Sequence, residues 1–365
     1  MKPLAGIRVL DMSRLLPGPM CSWYLTGMGA KVTKIESPDG ADYLRFMPPH
    51  RADGTGAWFA ALHAGKESVA LDLKQALHRE AMFALLGEAD VLIEGSRPGV
   101  LGRLGMEPSE LLVRFPRLVV ASITGFGQSG PMRDRPGHDL GFQALAGTMA
   151  LGARVDGVPP VPSTPVGDIA GGALTGAMRI CAALFDRERT GEGCWLDVSM
   201  TEGALAMMAP VVAGVAALRE RPEPGADVLS GGSPQYRMYR CAEGGVLAVA
   251  PLEPKFWALL CDAAPGAVSD HAELEALFLT RTRDEWAALL GEACCDPVLE
   301  LDELSAHPQH RARRAISGDG EDIRVSQPVP GGDETAHRPS PQLGEHTEAA
   351  LRRVGFDPDR LKDAP

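Results

Sequence analysis

Residues 7–35, IRVLDMSRLLPGPMCSWYLTGMGAKVTKI, decide the fold. An apolar run at 7–12 reads as a short buried strand, and Pro17-Gly18-Pro19 reads as a tight turn. A helix over 20–28 and a second strand over 31–35 complete a βαβ unit. Since the two strands of a βαβ unit are parallel, this stretch predicts the start of a parallel sheet.

The same alternation continues along the chain. We predict strands over 68–73, 91–93, 118–123 and 195–198, and helices over 78–87, 108–114 and 168–187. Strands that alternate with helices predict an α/β fold with a Rossmann-like, open, parallel sheet. No GxGxxG follows the first strand, which argues against a nicotinamide-dependent dehydrogenase.

The domain organisation follows from breaks in this pattern. A polar, proline-rich stretch at 219–225 is the best domain boundary, and two runs split by Glu243-Gly244-Gly245 suggest a hairpin. We predict a large α/β domain over 1–200, a linker helix over 201–229, a smaller α+β domain over 230–325, and a linker with a C-terminal helix over 326–365.

Composition narrows the partners and the compartment. The 365 residues carry a formal net charge of −12, which argues against nucleic acid or an anionic membrane as a general partner. A few local cations still suffice for a polyanionic small molecule. Seven cysteines without zinc-type spacing predict free thiols, no metal site and a cytoplasmic protein.

The chemistry centres on two glycine-flanked segments. Gly137-His138-Asp139 is followed about thirty residues later by Val166-Gly167-Asp168, so a histidine and two carboxylates stand in loops. Such side chains are the usual proton carriers of enzymes. Taken alone, the His-Asp pair also fits a hydrogen-bonded turn, and Asp168 fits a helix N-cap.

Several motifs in a fixed order carry a family resemblance. They are Leu4–Asp11, Met28–Glu36, Val69–Lys74, Glu94–Gly99 and Pro341–Thr347. Together with the segments around His138 and Asp168, they resemble the family III coenzyme A transferases (the CaiB/BaiF family). Within that family the chain looks most like the α-methylacyl-CoA racemase branch.

This resemblance implies an acyl-CoA thioester as substrate, with coenzyme A as part of the substrate and no separate cofactor. It also implies an interlocked homodimer of two-domain subunits. In that architecture the C-terminal tail returns to the large domain, and the active site lies between one subunit's large domain and the other's small domain. The acyl group stays open among bile-acid-like, branched-chain fatty and short dicarboxylic groups.

In the racemase branch, residues matching His138 and Asp168 are the two bases on either face of the α-carbon. The backbone N–H of the residue matching Asp139 holds the enolate oxygen. Glu253, in the segment Leu252–Trp257, matches a racemase-branch motif and is expected to orient His138. Only Gly231-Gly232 remain of the longer glycine run found in many transferases, which favours the racemase.

In the transferases, the aspartate matching Asp139 is a nucleophile that forms a mixed anhydride and then an aspartyl-CoA thioester. The segment Gln143–Gly147 looks more like transferases than racemases. A catalytically idle, CoA-binding relative is a third reading.

For coenzyme A, Arg97 is the best candidate, since an arginine in a turn at a strand end suits a diphosphate or 3′-phosphate. Lys74, Leu73, Lys34 and Gly137 are further candidates, although each lysine also fits a solvated surface position. Two departures from the family bear on the adenine end. Ser37 stands where racemases often carry Arg, and Glu67 stands where relatives commonly carry a second base.

Overall fold

A computed structural model describes residues 2–219, 223–263, 270–327 and 338–361. These residues form two compact units. Unit 1 takes in the described residues of Met1–Ala146, Thr164–Met207 and Pro308–Pro365, and unit 2 those of Gly147–Ser163 and Met208–His307.

Unit 1 contains a six-stranded sheet in which every neighbouring pair is parallel. The α/β prediction is therefore confirmed. The strand order β3-β2-β1-β4-β5-β6 reverses direction between β1 and β4, and in such sheets this switch point opens a crevice beyond the carboxyl ends of the strands. The strands are β1 (Arg8–Asp11), β2 (Lys31–Glu36), β3 (Glu67–Ala70), β4 (Val91–Glu94), β5 (Val119–Thr124) and β6 (Trp195–Ser199).

The helices cover both faces of this sheet, and others lie in unit 2. In chain order they are α1 (Pro17–Gly27), α2 (Ala57–Leu62), α3 (Ala76–Leu86), α4 (Val100–Arg103), α5 (Pro108–Arg114), α6 (Asp139–Ala146), α7 (Thr175–Thr190), α8 (Met200–Met207), α9 (Ala209–Leu218), α10 (Pro254–Ala263), α11 (His271–Phe278), α12 (Arg283–Leu290), α13 (Pro308–Arg313) and α14 (Thr347–Arg353).

Alternate residues of each central strand enter two separate cores. Val9 and Val91 face the core under α1 and α7, whereas Leu10, Leu92 and Val120 face the core under α3, α5 and α14. Successive strand side chains point to opposite faces, so a strand buried on both faces is mostly apolar. This burial explains apolar runs such as 91–93, from which the sequence predicts a strand.

A continuous helix over Gly167–Thr190 crosses one face of the sheet. Its first part, Gly167–Leu174, is π-helical, and α7 continues it to Thr190. By length and composition it could cross a membrane, but Ile180 and Leu184 pack into the sheet core. We therefore interpret it as a core helix.

Unit 2 contains an antiparallel sheet in the order β7-β8-β9. Its strands are β7 (Arg237–Arg240), β8 (Val246–Val249) and β9 (Cys295–Pro297). β7 and β8 form the predicted hairpin, and the predicted turn at Glu243-Gly244-Gly245 lies between them. Tyr239, Phe278 and Trp286 form the centre of the core of this unit.

The two units divide the chain differently from the predicted domains. The predicted linker helix over 201–229 is instead two helices, with α8 in unit 1 and α9 in unit 2. The predicted small domain is also shifted, since 147–163 lies in unit 2 and 308–325 in unit 1. Residues 220–222 of the predicted boundary lie outside the described residues.

An ion pair shows why 308–325 belongs with unit 1. The small β10–β11 hairpin (β10, Ile316–Ser317; β11, Arg324–Val325) lies in this segment. Arg51 donates to Asp322 at 2.8 Å, which ties the segment to the loop before α2. The C-terminal helix α14 packs on β3 and α3 of the same unit. Residues 328–337 of the predicted linker lie outside the described residues.

Candidate active site

A cleft of ≈ 390 Å³ opens in unit 1 at the carboxyl ends of β1, β4 and β5. Its walls are the loops that follow these strands, at Ser13–Gly18, Gly95–Pro98 and Thr124–Phe126. His138 and Asp168 also line it. The structure thus brings the two predicted bases to one cleft, at the place where an open parallel sheet binds its ligands.

His138 stands at the start of α6. Its carbonyl accepts hydrogen bonds from the backbone N–H groups of Gly141 at 2.9 Å and Phe142 at 3.3 Å, while its side chain is exposed in the cleft. Gly137 before it packs tightly, since a Cβ there would lie 2.5 Å from Cε1 of Phe142. The glycine thus lets the His138 loop lie against the core, and it also lines the cleft.

The Asp139 carboxylate connects the segments that contain His138 and Asp168. Its Oδ1 accepts the backbone N–H of Asp168 at 2.9 Å, and its Oδ2 accepts Nε2 of Gln143 at 2.6 Å. Asp139 therefore caps the helix that carries Asp168, and a negative charge is favourable at that helix end. A Cβ on Gly167 would lie 2.9 Å from Asp139 Oδ1, so a larger residue there would displace this carboxylate.

The Asp168 side chain is half-buried beside a like charge. Burial and, as a smaller cause, the neighbouring charge of Asp139 together raise the pKa of Asp168 to about 7. A general acid–base group works best with a pKa near the operating pH. Asp168 is thus suited to both accept and donate a proton near neutrality.

Close glycine packing fixes the π-helical segment behind Asp168. A Cβ on Gly171 would lie 2.3 Å from the carbonyl oxygen of Met200, and one on Gly203 would lie 2.3 Å from the carbonyl oxygen of Gly171. The backbones of this segment and α8 therefore touch. The sequence predicts an α-helix from Asp168, but its first turns are π-helical, a form common at functional sites.

Four arginine side chains of the described residues surround the cleft: Arg14, Arg97, Arg133 and Arg135. In the described part of the chain none of them has a carboxylate within ion-pair distance. Unpaired guanidinium groups in an acidic protein favour an anionic ligand with phosphate or carboxylate groups. The sequence prediction found only Arg97. The signal for Arg133 and Arg135 was their place just before Gly137.

A second cavity of ≈ 280 Å³ lies at the carboxyl ends of β1 to β4. The predicted ligand residues Leu73 and Lys74 line it, and Arg14 and Ser96 line both cavities. Lys74 is exposed, and its backbone N–H donates to Oδ1 of Asp72 at 3.1 Å. The structure thus separates the predicted coenzyme A residues into two groups, Arg97 with the first cavity and Leu73 with Lys74 beside the second.

The structure does not present Lys34 to either cavity. Its side chain is fully buried, its Nζ pairs with Oδ2 of Asp42 at 3.0 Å, and it also donates to the carbonyl of Ser13. The β2 strand is covered on both faces, so a lysine inside it needs a buried partner. We therefore remove Lys34 from the coenzyme A residues that the sequence suggests.

Comparisons with known proteins identify the family. The sequence model of CoA-transferase family III matches residues 4–347. The chain belongs to this family. It is 33% identical to the α-methylacyl-CoA racemase of Mus musculus over 98% of this chain and 95% of the relative. It is also 32% identical to the acetyl-CoA:oxalate CoA-transferase of Acetobacter aceti, over 98% of this chain and 97% of that one.

A solved CaiB/BaiF family structure from Brucella suis resembles this family III protein with a TM-score of 0.84. The two are 27% identical, over 97% of this chain and 99% of that one. The family thus contains both racemases and CoA-transferases among the relatives of this chain. The chain therefore belongs to an enzyme family whose members include racemases and CoA-transferases.

Glu253 lies in unit 2, at the start of α10. Its carbonyl accepts the backbone N–H groups of Phe256 at 3.0 Å and Trp257 at 3.1 Å, so the residue begins the helix. Its side chain is exposed. The expected contact with His138 in this family III protein stays a prediction.

Proposed function

We propose that this protein is an acyl-CoA racemase that interconverts (R)- and (S)-2-methylacyl-CoA by 1,1-proton transfer. The observation that carries the proposal is that His138 and Asp168 line one cleft, with the pKa of Asp168 raised to about 7. A base that titrates near neutrality is suited to remove a weakly acidic α-proton and to return one.

The reaction needs two groups on opposite faces of one carbon. One base takes the α-proton, and the C–H electron pair moves onto the thioester oxygen as an enolate. The conjugate acid of the other base then gives its proton to the opposite face. The product is the other epimer, and the two groups have exchanged protonation states.

The enolate oxygen needs a preorganised donor, which is worth about 3–4 kcal/mol in the transition state. Asp139 opens α6, so its backbone N–H has no partner within the helix. The positive end of the helix dipole favours a negative oxygen there. We assign this N–H as the enolate donor.

The role of the Asp139 carboxylate separates the racemase from a transferase. Both of its oxygens accept hydrogen bonds, from Asp168 and from Gln143. This favours a structural carboxylate over a nucleophile. CoA transfer through an aspartyl-CoA intermediate on Asp139 is the second candidate, because several similar relatives are named CoA-transferases.

For the coenzyme A part, we assign the phosphates to the arginines of the cleft, with Arg97 central among them. Leu73 and Lys74 are assigned to the nucleotide end in the second cavity. We further propose that the protein is cytoplasmic and forms a homodimer that binds the acyl-CoA. Sedimentation analysis tests the dimer directly.

Proton NMR in D₂O tests the proposed function. A single epimer of 2-methylacyl-CoA is incubated with the enzyme and no acceptor acid. The racemase predicts loss of the α-proton signal and appearance of the other epimer. An unchanged α-proton over several acyl chains, with a hydroxylamine-trappable enzyme adduct and CoA transfer to an added carboxylate, would move the assignment to the transferase. CoA binding without either reaction would indicate the idle relative.

A further inference from the structure

Four charged side chains with no solvent exposure lie beneath the cleft. They are two cations and two anions: Asp11, Lys34, Asp42 and Lys66. Lys34 Nζ lies 3.0 Å from Asp42 Oδ2, and Lys66 Nζ lies 3.6 Å from Asp11 Oδ2. The charges balance, so this set can remain ionised without solvent.

This buried set holds the loop that follows β1 from both sides of Arg14. Before Arg14, Ser13 donates its backbone N–H to Asp11 Oδ1 at 2.9 Å, and its carbonyl accepts from Lys34. After Arg14, the backbone N–H of Leu15 donates to Asp42 Oδ1 at 3.1 Å. Both neighbours of Arg14 are therefore anchored to buried charges.

The anchored loop contains an unfavourable backbone conformation. Leu15 has φ = 65°, in the left-handed region that residues with a Cβ rarely occupy. Such a conformation persists only where surrounding contacts determine it. The Asp42 carboxylate supplies one of these contacts.

Arg14 lies at the junction of the two cavities, since it lines both. Its guanidinium carbon lies 5.4 Å from the ring centroid of Tyr43, beside the Asp42-capped turn. A bidentate guanidinium at this place can reach a phosphate that passes from one cavity to the other. Arg14 is thus placed to bind a ligand that occupies both.

We infer that the buried Lys34–Asp42 pair is a positioning device for Arg14, and that Arg14 binds a phosphate of the coenzyme A thioester where the two cavities meet. Lys34 and Asp42 act through the loop and do not touch the substrate. This inference rests on the proposed function only in taking a coenzyme A thioester as the ligand. Directional bonds to charged groups suit this task, because they fix backbone geometry that apolar packing leaves free.

The test uses two substrates that carry the same 2-methylacyl group. One is the coenzyme A thioester, and the other is the pantetheine thioester, which lacks the diphosphate and the nucleotide. The variants are Arg14→Ala, Asp42→Asn and the double variant Lys34→Met with Asp42→Asn. Because the double variant removes both charges together, it leaves no unpaired buried ion and should fold even if Asp42→Asn does not.

We expect each folded variant to raise KM for the coenzyme A thioester at least about tenfold, with kcat within about threefold of the wild type. KM for the pantetheine thioester should not change. The matched control is Arg187→Gln, which breaks the ion pair of the buried Arg187 with Asp90 (2.9 Å) away from this loop. It should change thermal stability without changing either KM.

Two results would overturn the inference. One is a KM for the coenzyme A thioester within twofold of the wild type in Arg14→Ala or in a folded positioning variant. The other is an equal loss of kcat on both substrates, which indicates general disruption. Calorimetry of the wild type with free coenzyme A separates these failures from failure of the proposed function. If the wild type does not bind coenzyme A, the assumed ligand is wrong, and with it the proposed function.

Discussion

Two groups of charged residues lie within the same unit, and they differ in pairing. Beneath the cleft, Asp11 and Lys66 are fully buried and face opposite charges. Inside the cleft, Asp168 faces the like charge of Asp139, and the arginines around it have no carboxylate partner among the described residues. The first group stabilises a loop, and the second is available to a substrate.

The pKa values follow this difference. Burial would raise the pKa of Asp11, but Lys34, Lys66 and two serine hydroxyls hold it below its usual value. For Asp168, burial and the like charge of Asp139 act in the same direction and together raise the pKa to about 7. Burial alone therefore does not indicate function; burial without an opposite charge marks a candidate for a functional residue.

The largest expected effect is on catalysis. Asp168→Asn keeps the shape of the side chain and removes the base, so kcat for racemisation should fall by about 10²–10⁴-fold. Because the folded pKa of Asp168 is raised, its contribution to stability is fully present below pH 4 and is lost as pH rises through about 7.

At pH 8 the ionised Asp168 disfavours folding, so the same variant should be no less stable than the wild type. Racemisation assays and urea unfolding at pH 8 check both parts. A large loss of stability with activity retained would contradict the assignment of Asp168.

The buried group should show the reverse pattern. Lys66→Met leaves Asp11 with one cation fewer in a site without solvent, and the free energy of unfolding should fall by about 3–5 kcal/mol. Urea denaturation at pH 7 measures it. Lys74→Met, at an exposed lysine, is the matched control and should change stability by no more than about 0.5 kcal/mol. Equal losses of stability in Lys66→Met and Lys74→Met would contradict a stabilising role for the buried charged group.

An unpaired arginine of the cleft should affect affinity and leave stability nearly unchanged. Arg97→Gln removes a charge-assisted contact to phosphate, and KM for a coenzyme A thioester should rise about tenfold. Steady-state kinetics measure this rise. Arg117→Gln, at an exposed arginine paired with Glu188, should leave KM unchanged. An Arg97 variant with wild-type KM would place the phosphates elsewhere.

The smallest effect concerns the like-charge pair itself. Asp139→Asn removes the charge that raises the pKa of Asp168, so the limb of the kcat/KM profile that titrates near pH 7 should move to lower pH. The racemisation rate between pH 5 and 9 measures it. Asp186→Asn, an exposed carboxylate of α7, should leave the profile in place. A shift to higher pH would contradict the electrostatic account.

The sequence predicted the parallel sheet because short strand-like runs alternate with helices along the chain. It predicted His138 and Asp168 because both stand in glycine-flanked loops that resemble the family. It did not predict that the Asp139 side chain caps the helix of Asp168. That contact joins residues 29 apart and depends on the π-helical turn.

Lys34 shows the limit of residue type as a signal. A lysine near a strand end fits phosphate binding, but its environment depends on Asp42, which reaches it only after the chain turns back. The available signal was its position between Thr33 and Ile35, inside a strand covered on both faces. The units between 201 and 325 have other boundaries than the predicted domains, and contacts such as Arg51–Asp322 join segments that are distant in sequence.

The central claim is that His138 and Asp168 act on opposite faces of one carbon. The most direct test measures α-proton exchange in D₂O for each epimer separately, in His138→Gln and in Asp168→Asn. The account predicts complementary losses: each variant still exchanges the α-proton of one epimer, and the two variants spare different epimers. If both variants spare the same epimer, or if both retain racemisation, the two residues are not the paired bases.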